Sequence, residues 1–197
     1  MIIEPDFATR ISHLDIDGID CSTDSIYLLD EFLNIAGYNQ YYLQFATENG
    51  AKHIEERYGL GKSVLSAISG DLKIYYRNSY TNALRNNSVF VQDYQCSSCD
   101  KFRLFHQTAY PIHGRVGLVL TNHCVIERDV KDSSVRLGQE HYNLHGFVVQ
   151  CSNCRKIQNH SKLNKWDWIP EALEQQLPNT SHSLCLHCLD HYYPDLD

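Results

Sequence analysis

Four cysteines in this chain have the spacing to act together: Cys151 and Cys154 around Ser152 and Asn153, and Cys185 and Cys188 around Leu186 and His187. A C-x-x-C pair presents two thiolates from one tight turn. Two such pairs brought together make a tetrahedral all-sulfur cage, which zinc prefers and an iron–sulfur cluster also uses. Zinc is redox-inert, and four sulfurs leave it no open position. The zinc reading is therefore a structural site, supplying folding energy to a segment too small for a core of its own. An iron–sulfur cluster and a thiol–disulfide switch remain open as alternatives on the same spacing. His182 is placed to orient the second turn or to replace a cysteine ligand. Cys96 and Cys99, around Ser97 and Ser98, fall at a strand-to-strand turn and form a candidate redox pair. They read equally well as two ordinary thiols, since free cysteine behaves as a small hydrophobe.

A second candidate site is a pocket between helices and sheet, lined by Tyr75, Tyr76, Tyr80, Phe90 and His106. Such layers leave room for a ligand, and the same side chains could simply fill it. His106, His113 and His123 lie on or beside strands, and a haem would need one of them as its axial ligand. Neither Cys154 nor Cys188 is followed by histidine, so covalent haem attachment is not signalled. Gly61–Lys62–Ser63 has the tail of a phosphate-binding loop, but Glu56 stands where its first glycine belongs. His141 and His145 have metal spacing without the glutamate of a catalytic helix. Asp15, Asp17 and Asp20 lack the closing glutamate of a calcium loop. Ser22, Ser63 and Ser181 have no triad context. The expectation is a protein that is not an enzyme. A metal-dependent hydrolase, which needs an open coordination position, is the weaker alternative.

The elements that must position these residues follow from the pattern. Ile26–Leu29 reads as a short strand and Phe32–Leu33 as a second. Tyr38–Glu48 reads as a helix closed by Asn49–Gly50, and a longer helix runs from Gly70 to about Asn86 with Leu72, Tyr76, Tyr80 (or Ser79) and Ala83 as its buried stripe. Strands follow at 88–95, 102–110 and 115–126, with Phe102, Leu104, His106, Thr108 and Tyr110 sharing one face. Two short strands, helices, then three longer strands describe an α+β fold: an antiparallel five-stranded sheet with helices on one side. A polar stretch with Ser133–Ser134 reads as a linker over 130–146. Phe147–Gln150 is then a strand leading to the first cysteine pair, Trp166 and Trp168 are a minimal core, and Glu171–Leu177 is a short helix stopped by Pro178.

The net charge of −7 argues against nucleic acid and against anionic membrane as partners. No apolar run reaches the ~18 residues of a membrane helix. The opening Met1–Asp6 lacks the basic-then-apolar pattern of a secretory leader, so a cytoplasmic protein with reduced or metal-bound cysteines is expected.

Two stretches resemble known families. Asn34 and Ala36, then Phe45–Ala46 with Glu48–Asn49–Gly50, then Gly61–Lys62–Ser63 and Tyr94–Gln95–Cys96, resemble a PAS domain over roughly 23–129. Cys151, Cys154–Arg155–Lys156–Ile157, Trp166, Thr180–Ser181–His182, Leu184–Cys185, Cys188 and Tyr193–Pro194 resemble a short cysteine module found at the C-termini of bacterial PAS-containing and response-regulator proteins. Ser183 stands where many such modules have glycine. The resemblance implies a signalling protein: an N-terminal segment 1–22, a PAS-like sensor at 23–129, and a zinc-ribbon-like four-cysteine module at 147–197. It implies a protein partner for output, a candidate homodimer, and a small-molecule ligand in the pocket. It names no ligand, because PAS domains bind haem, flavin, small metabolites or nothing; haem and flavin are not signalled here.

Overall fold

The computed structural model describes residues 1–51, 53–130, 135–174 and 177–195. In chain order the elements are β1 (Ile2–Ile3), α1 (Pro5–Arg10), α2 (Ile16–Asp20), β2 (Ser25–Asp30), β3 (Ile35–Tyr38), α3 (Gln40–Glu48), α4 (Ile54–Tyr58), α5 (Leu72–Asn86), β4 (Phe90–Gln95), β5 (Lys101–Pro111) and β6 (Gly117–Asp129). Then come β7 (Val148–Cys151), β8 (Ile157–Gln158), β9 (Trp166–Asp167), α6 (Glu171–Glu174), β10 (Thr180–Ser183) and α7 (Leu186–Tyr192). The fold is α+β. Its large sheet has six strands in the order β1-β3-β2-β6-β5-β4, one more than expected because β1 adds an edge. A second sheet has the order β10-β7-β8-β9. The expected linker serines Ser133 and Ser134, and Gln175 and Gln176 of the expected last helix, lie outside the described residues. No helix among the described residues is long and apolar enough to cross a membrane.

The chain divides into two compact units: 1–68 with 74–93 and 106–124, and 69–73 with 94–105 and 125–197. In the first unit, strand alternation separates the two faces of the sheet. Leu28 pairs with Val119, and both join Phe7 and Ile11 of the N-terminal helix in one cluster with Ala36 and Ile112. Tyr27, Leu29, Leu118 and Leu120 therefore point to the opposite face. On that face Tyr80 of α5 donates to Gln107 Oε1 at 2.5 Å, and Gln107 Nε2 donates to Asn122 Oδ1 at 2.8 Å. The expected helical stripe is in place, with Leu72, Tyr76, Tyr80 and Ala83 all buried.

One strand reading changes. Phe32–Leu33 is a turn, not a strand: Asp30 Oδ1 accepts from Phe32 N and Asn34 N at 2.9 and 2.8 Å, and Leu33 takes a left-handed φ of 65°. The second strand starts only at Ile35. On β5 the buried face is Arg103, Phe105, Gln107 and Ala109, the face opposite the more apolar Phe102–Tyr110 set. Gln107 is drawn inward by partners that sequence alone does not show, Tyr80 and Asn122, and Arg103 Nε donates to Glu127 Oε2 at 2.6 Å.

In the second unit the small core is aliphatic: Val148, Ile157, Ile169 and Ala172, with Val135, Leu137, Tyr142 and Leu177 packed against it. Trp166 and Trp168 are only half-buried at its margin. Val135, Leu137 and Tyr142, from the stretch read as linker, thus join this core. A polar brace closes it. His141 is fully buried, its Nδ1 accepts from Gly138 N at 3.0 Å, and its Nε2 therefore carries the hydrogen given to Asp167 Oδ2 at 3.2 Å. Asn159 Nδ2 donates to the same oxygen at 3.0 Å, and Lys165 Nζ lies 2.9 Å from Oδ1.

Burial pushes the Asp167 pKa up, but the hydrogen bonds from Asn159, Lys165 and His141 together outweigh it and hold the carboxyl below its usual range. A depressed carboxyl stabilises fully above its unfolded pKa of ~3.9, and that contribution is lost as pH falls through the lower folded value. Asp167→Asn is expected to speed amide exchange around Trp166–Ile169 at pH 7 and to flatten its dependence on acid. An unchanged acid profile in the variant would rule Asp167 out as the titrating group.

Candidate metal centre

The first cysteine pair sits on the turn between β7 and β8. Arg155 has a left-handed φ of 62°, its N–H donates to Cys151 O at 3.1 Å, and Cys151 N donates to Lys156 O at 2.9 Å. This tight reversal throws Cys151 and Cys154 to one side. The second pair comes from the end of β10 and the first turn of α7, where Cys185 is the N-cap and Cys188 lies in the first turn. Where a ribbon would have a second hairpin, this chain has a helix.

Register makes the pairs converge. β10 runs parallel to β7, with His182 opposite Gln150 and Ser183 opposite Cys151. Cys185, two residues on, arrives beside the first turn. The result is a cluster in which the four cysteine sulfurs all lie within 4.8 Å of one another. All four residues are buried. Cys154 Sγ and Cys185 Sγ are 3.8 Å apart. A tetrahedron with Zn–S bonds of ~2.3 Å has edges of about 3.8 Å, so the donor set fits zinc in both chemistry and size.

N–H donors face the sulfurs. Cys185 N points at Cys151 Sγ at 3.5 Å, and Asn153 Nδ2 at Cys188 Sγ at 3.3 Å. Asn153 is itself held through Oδ1 by Gln95 N at 3.1 Å and the Tyr192 hydroxyl at 3.2 Å. Asn153 was legible only as a spacer within the first pair, because its partners lie 58 and 39 residues away. Hydrogen bonds of this kind orient ligands and spread the charge of metal-bound thiolates.

The thiols perturb one another strongly. Cys151 is pushed down by hydrogen bonds from Cys154, Cys185 and Cys188, while Cys154 and Cys188 are pushed up, foremost by Cys151. Cys185 is raised by Cys151 but drawn down further by Cys154 and Cys188, to about 7. Four thiolates this close repel one another, and a dication removes that repulsion. An open hollow of ≈ 590 Å³ borders the cage, lined by Cys154, Cys185, Phe102, Arg128, Lys156 and Trp168 among others. Arg128 stacks over the Phe102 ring at 4.7 Å.

The other sequence candidates fall elsewhere. His182 is half-buried and outside the four-sulfur cluster. Burial and, after it, the Arg155 charge push its pKa down. Cys96 is exposed and Cys99 half-buried, on a turn braced by Ser97 Oγ accepting from Arg103 N at 3.1 Å. Burial, then Glu174, push the Cys99 thiol up, which weakens it as a nucleophile at neutral pH. Tyr75, Tyr76, Tyr80 and Phe90 pack together, with ring centroids 5.4–6.2 Å apart and Tyr75 donating to Gln92 Oε1 at 2.5 Å. They fill the space between α5 and the sheet. His106 lies on the opposite face of β5, half-exposed, with Nδ1 2.7 Å from Asp93 Oδ1.

No protein-family description matches the chain, and no curated protein does. PAS domains are among the solved structures similar to it. One is the PAS domain of the RpfR quorum-sensing receptor of Cronobacter turicensis in complex with C12:0: 19% identity, 53% of this chain and 96% of that one, TM-score 0.42. A second is a PAS domain from Colwellia psychrerythraea: 16% identity, 58% of this chain and 97% of that one, TM-score 0.43. A third is the phage VqmA–DPO complex: 16% identity, 61% of this chain and 54% of that one, TM-score 0.42.

Proposed function

We propose that the chain is a signal-sensing or adaptor protein of the bacterial cytoplasm, whose four-cysteine module, 147–197, is braced by structural zinc. The carrying observation is the closed donor set. Four buried sulfurs within 4.8 Å satisfy a tetrahedral ion and leave no position for water or substrate. The metal then serves folding, and the module serves as a surface for a protein partner. This reading is non-enzymatic. The sensing half is the PAS-like region, 23–129. There a small molecule entering beside Tyr76 and Tyr80 would displace packed rings and meet the amides of Gln92 and Gln107. A ligand with different affinity for two packings of that layer shifts their populations. Output passes to a protein partner, with self-association as one form of it.

A second reading, in which the cysteines sense redox state through a cluster or a disulfide, is favoured by one feature. Cys154 and Cys185 are 3.8 Å apart and both border the open hollow. Metal analysis with an absorption spectrum of protein purified without oxygen decides between them. One zinc per chain and no visible absorbance is the expected result. Iron with visible absorbance, or a metal-free chain two hydrogens lighter, would replace the structural-zinc reading with the redox one.

A further inference from the structure

β4 is the last strand in the order of the large sheet, so among the described residues one of its sides has no neighbouring strand. On the other side it pairs with β5. Cys96 N donates to Arg103 O at 3.2 Å and Ser98 N to Lys101 O at 2.9 Å, and the Tyr94 and Phe105 rings stack in the same register. Backbone N–H groups alternate between the two sides of a strand. With Cys96 N turned toward β5, Gln95 N points off the sheet edge. An edge N–H of this kind is a template for pairing with another chain unless something covers it. Here the cover comes from the first cysteine turn: Asn153 Oδ1 accepts from Gln95 N at 3.1 Å.

The same side chain reaches the second cysteine pair. Asn153 Oδ1 also accepts from the Tyr192 hydroxyl of α7 at 3.2 Å, and Asn153 Nδ2 donates to Cys188 Sγ at 3.3 Å. Asn153, Tyr192 and Cys188 are all buried, and all of them belong with Gln95 to the second unit. Asn153 lies between Cys151 and Cys154, yet the sulfur it bonds is that of Cys188. The three bonds therefore form together only when both halves of the cage are assembled, the arrangement an ion holds in place. The amide cannot be turned round. The Gln95 N–H only donates and needs the oxygen, while a metal-bound thiolate only accepts and needs the NH₂.

We propose that Asn153 is a positioning residue that ties the loaded cage to the free edge of β4, so that an ion held by the four sulfurs keeps the C-terminal end of that edge closed to pairing. The proposal rests on the structural-zinc reading. Asn153 acts on the ion through Cys188, whose sulfur it orients, as groups behind metal ligands do. It acts on the strand through one backbone N–H. Loss of the ion lets the two halves part and withdraws Oδ1 from Gln95. The edge N–H is then left to solvent or to a strand of another molecule.

The test uses the full, zinc-loaded chain, with zinc affinity read by chelator competition and amide exchange read residue by residue. In the wild-type chain Gln95 should be protected, and stripping the zinc should remove that protection. Asn153→Ala should speed Gln95 exchange about tenfold at full zinc occupancy and leave Cys96, bonded to Arg103, unchanged. It should also weaken zinc binding by about 10–100-fold. Asn153→Asp separates the two roles. It keeps an oxygen for Gln95 and loses the N–H for Cys188, so Gln95 should stay protected while zinc affinity falls as in the alanine variant. An asparagine that only fills space would show no such split. A Gln95 amide that exchanges like an unbonded one in the loaded wild-type chain would overturn the proposal, and that readout needs no variant to fold. Full Gln95 protection in loaded Asn153→Ala, or wild-type zinc affinity in both variants, would overturn it too. A wild-type chain that takes up no zinc would remove the metal reading and this proposal with it, whereas a loaded chain whose Gln95 ignores Asn153 would remove this proposal alone.

Discussion

Cys151→Ser or Cys185→Ser is expected to release the metal and unfold the second unit while the first stays native. The core that remains is small, with Val148, Ile157, Ile169 and Ala172 at its centre. Structural zinc contributes on the order of 10–16 kcal/mol of apparent binding free energy at neutral pH, comparable with or larger than the ~5–15 kcal/mol net stability of a typical domain. A core of this size does not replace it. The geometry also makes the two variants equivalent. Each cysteine belongs to a different turn, yet the turns are joined through the β7–β10 register, so losing either opens the same cage. The measurement is metal content together with residue-resolved amide exchange. Val148–Cys151 should lose protection and Leu118–Leu120 should keep it. Full metal content in both variants would sink the assignment. Loss of protection at Leu118–Leu120 as well would show that the units do not fold separately.

Gly117→Ala should be the most damaging single-methyl change in the first unit. A Cβ at Gly117 would sit 2.0 Å from the Leu29 carbonyl oxygen and 3.0 Å from Phe7 Cζ. The obstacle is backbone, so a rotamer change cannot relieve it. The strand itself has to move, at the point where Asp30 pairs with Gly117 and the β2–β6 ladder ends. Forced overpacking costs ~1–3 kcal/mol where side chains can give way, and a rigid carbonyl places this case at or above the upper end. Gly37→Ala is the control. Its Cβ would meet Ile2 O, Ile3 Cγ1 and Leu28 Cδ1 at 3.1–3.2 Å, close enough to shift neighbours by tenths of an ångström. Urea midpoints should fall much further for Gly117→Ala than for Gly37→Ala. Equal midpoints would mean that the strand end yields freely.

What the sequence revealed depended on how local each signal was. The α5 stripe was readable because Leu72, Tyr76, Tyr80 and Ala83 repeat at helical spacing within one element. The two cysteine pairs were readable because each is four residues long. The inward face of β5 was not. Alternation groups Phe102, Leu104 and Tyr110 on one face without saying which face is buried, and the buried side carries Gln107, which donates to Asn122 and accepts from Tyr80, 15 and 27 residues away. Phe32–Leu33 misled for a similar reason. Two apolar residues suggested a strand, but Asp30 captures two backbone N–H groups and bends the chain before a ladder can form. The aspartate partners of His106 and His123 are equally non-local, at 13 and 99 residues.

Because β7 and β10 lie side by side and each leads directly into one half of the thiolate set, freeing both halves at once requires that strand pair to come apart. Stripping by a chelator should therefore proceed at a rate that saturates with chelator concentration, capped by how often that strand pair breathes.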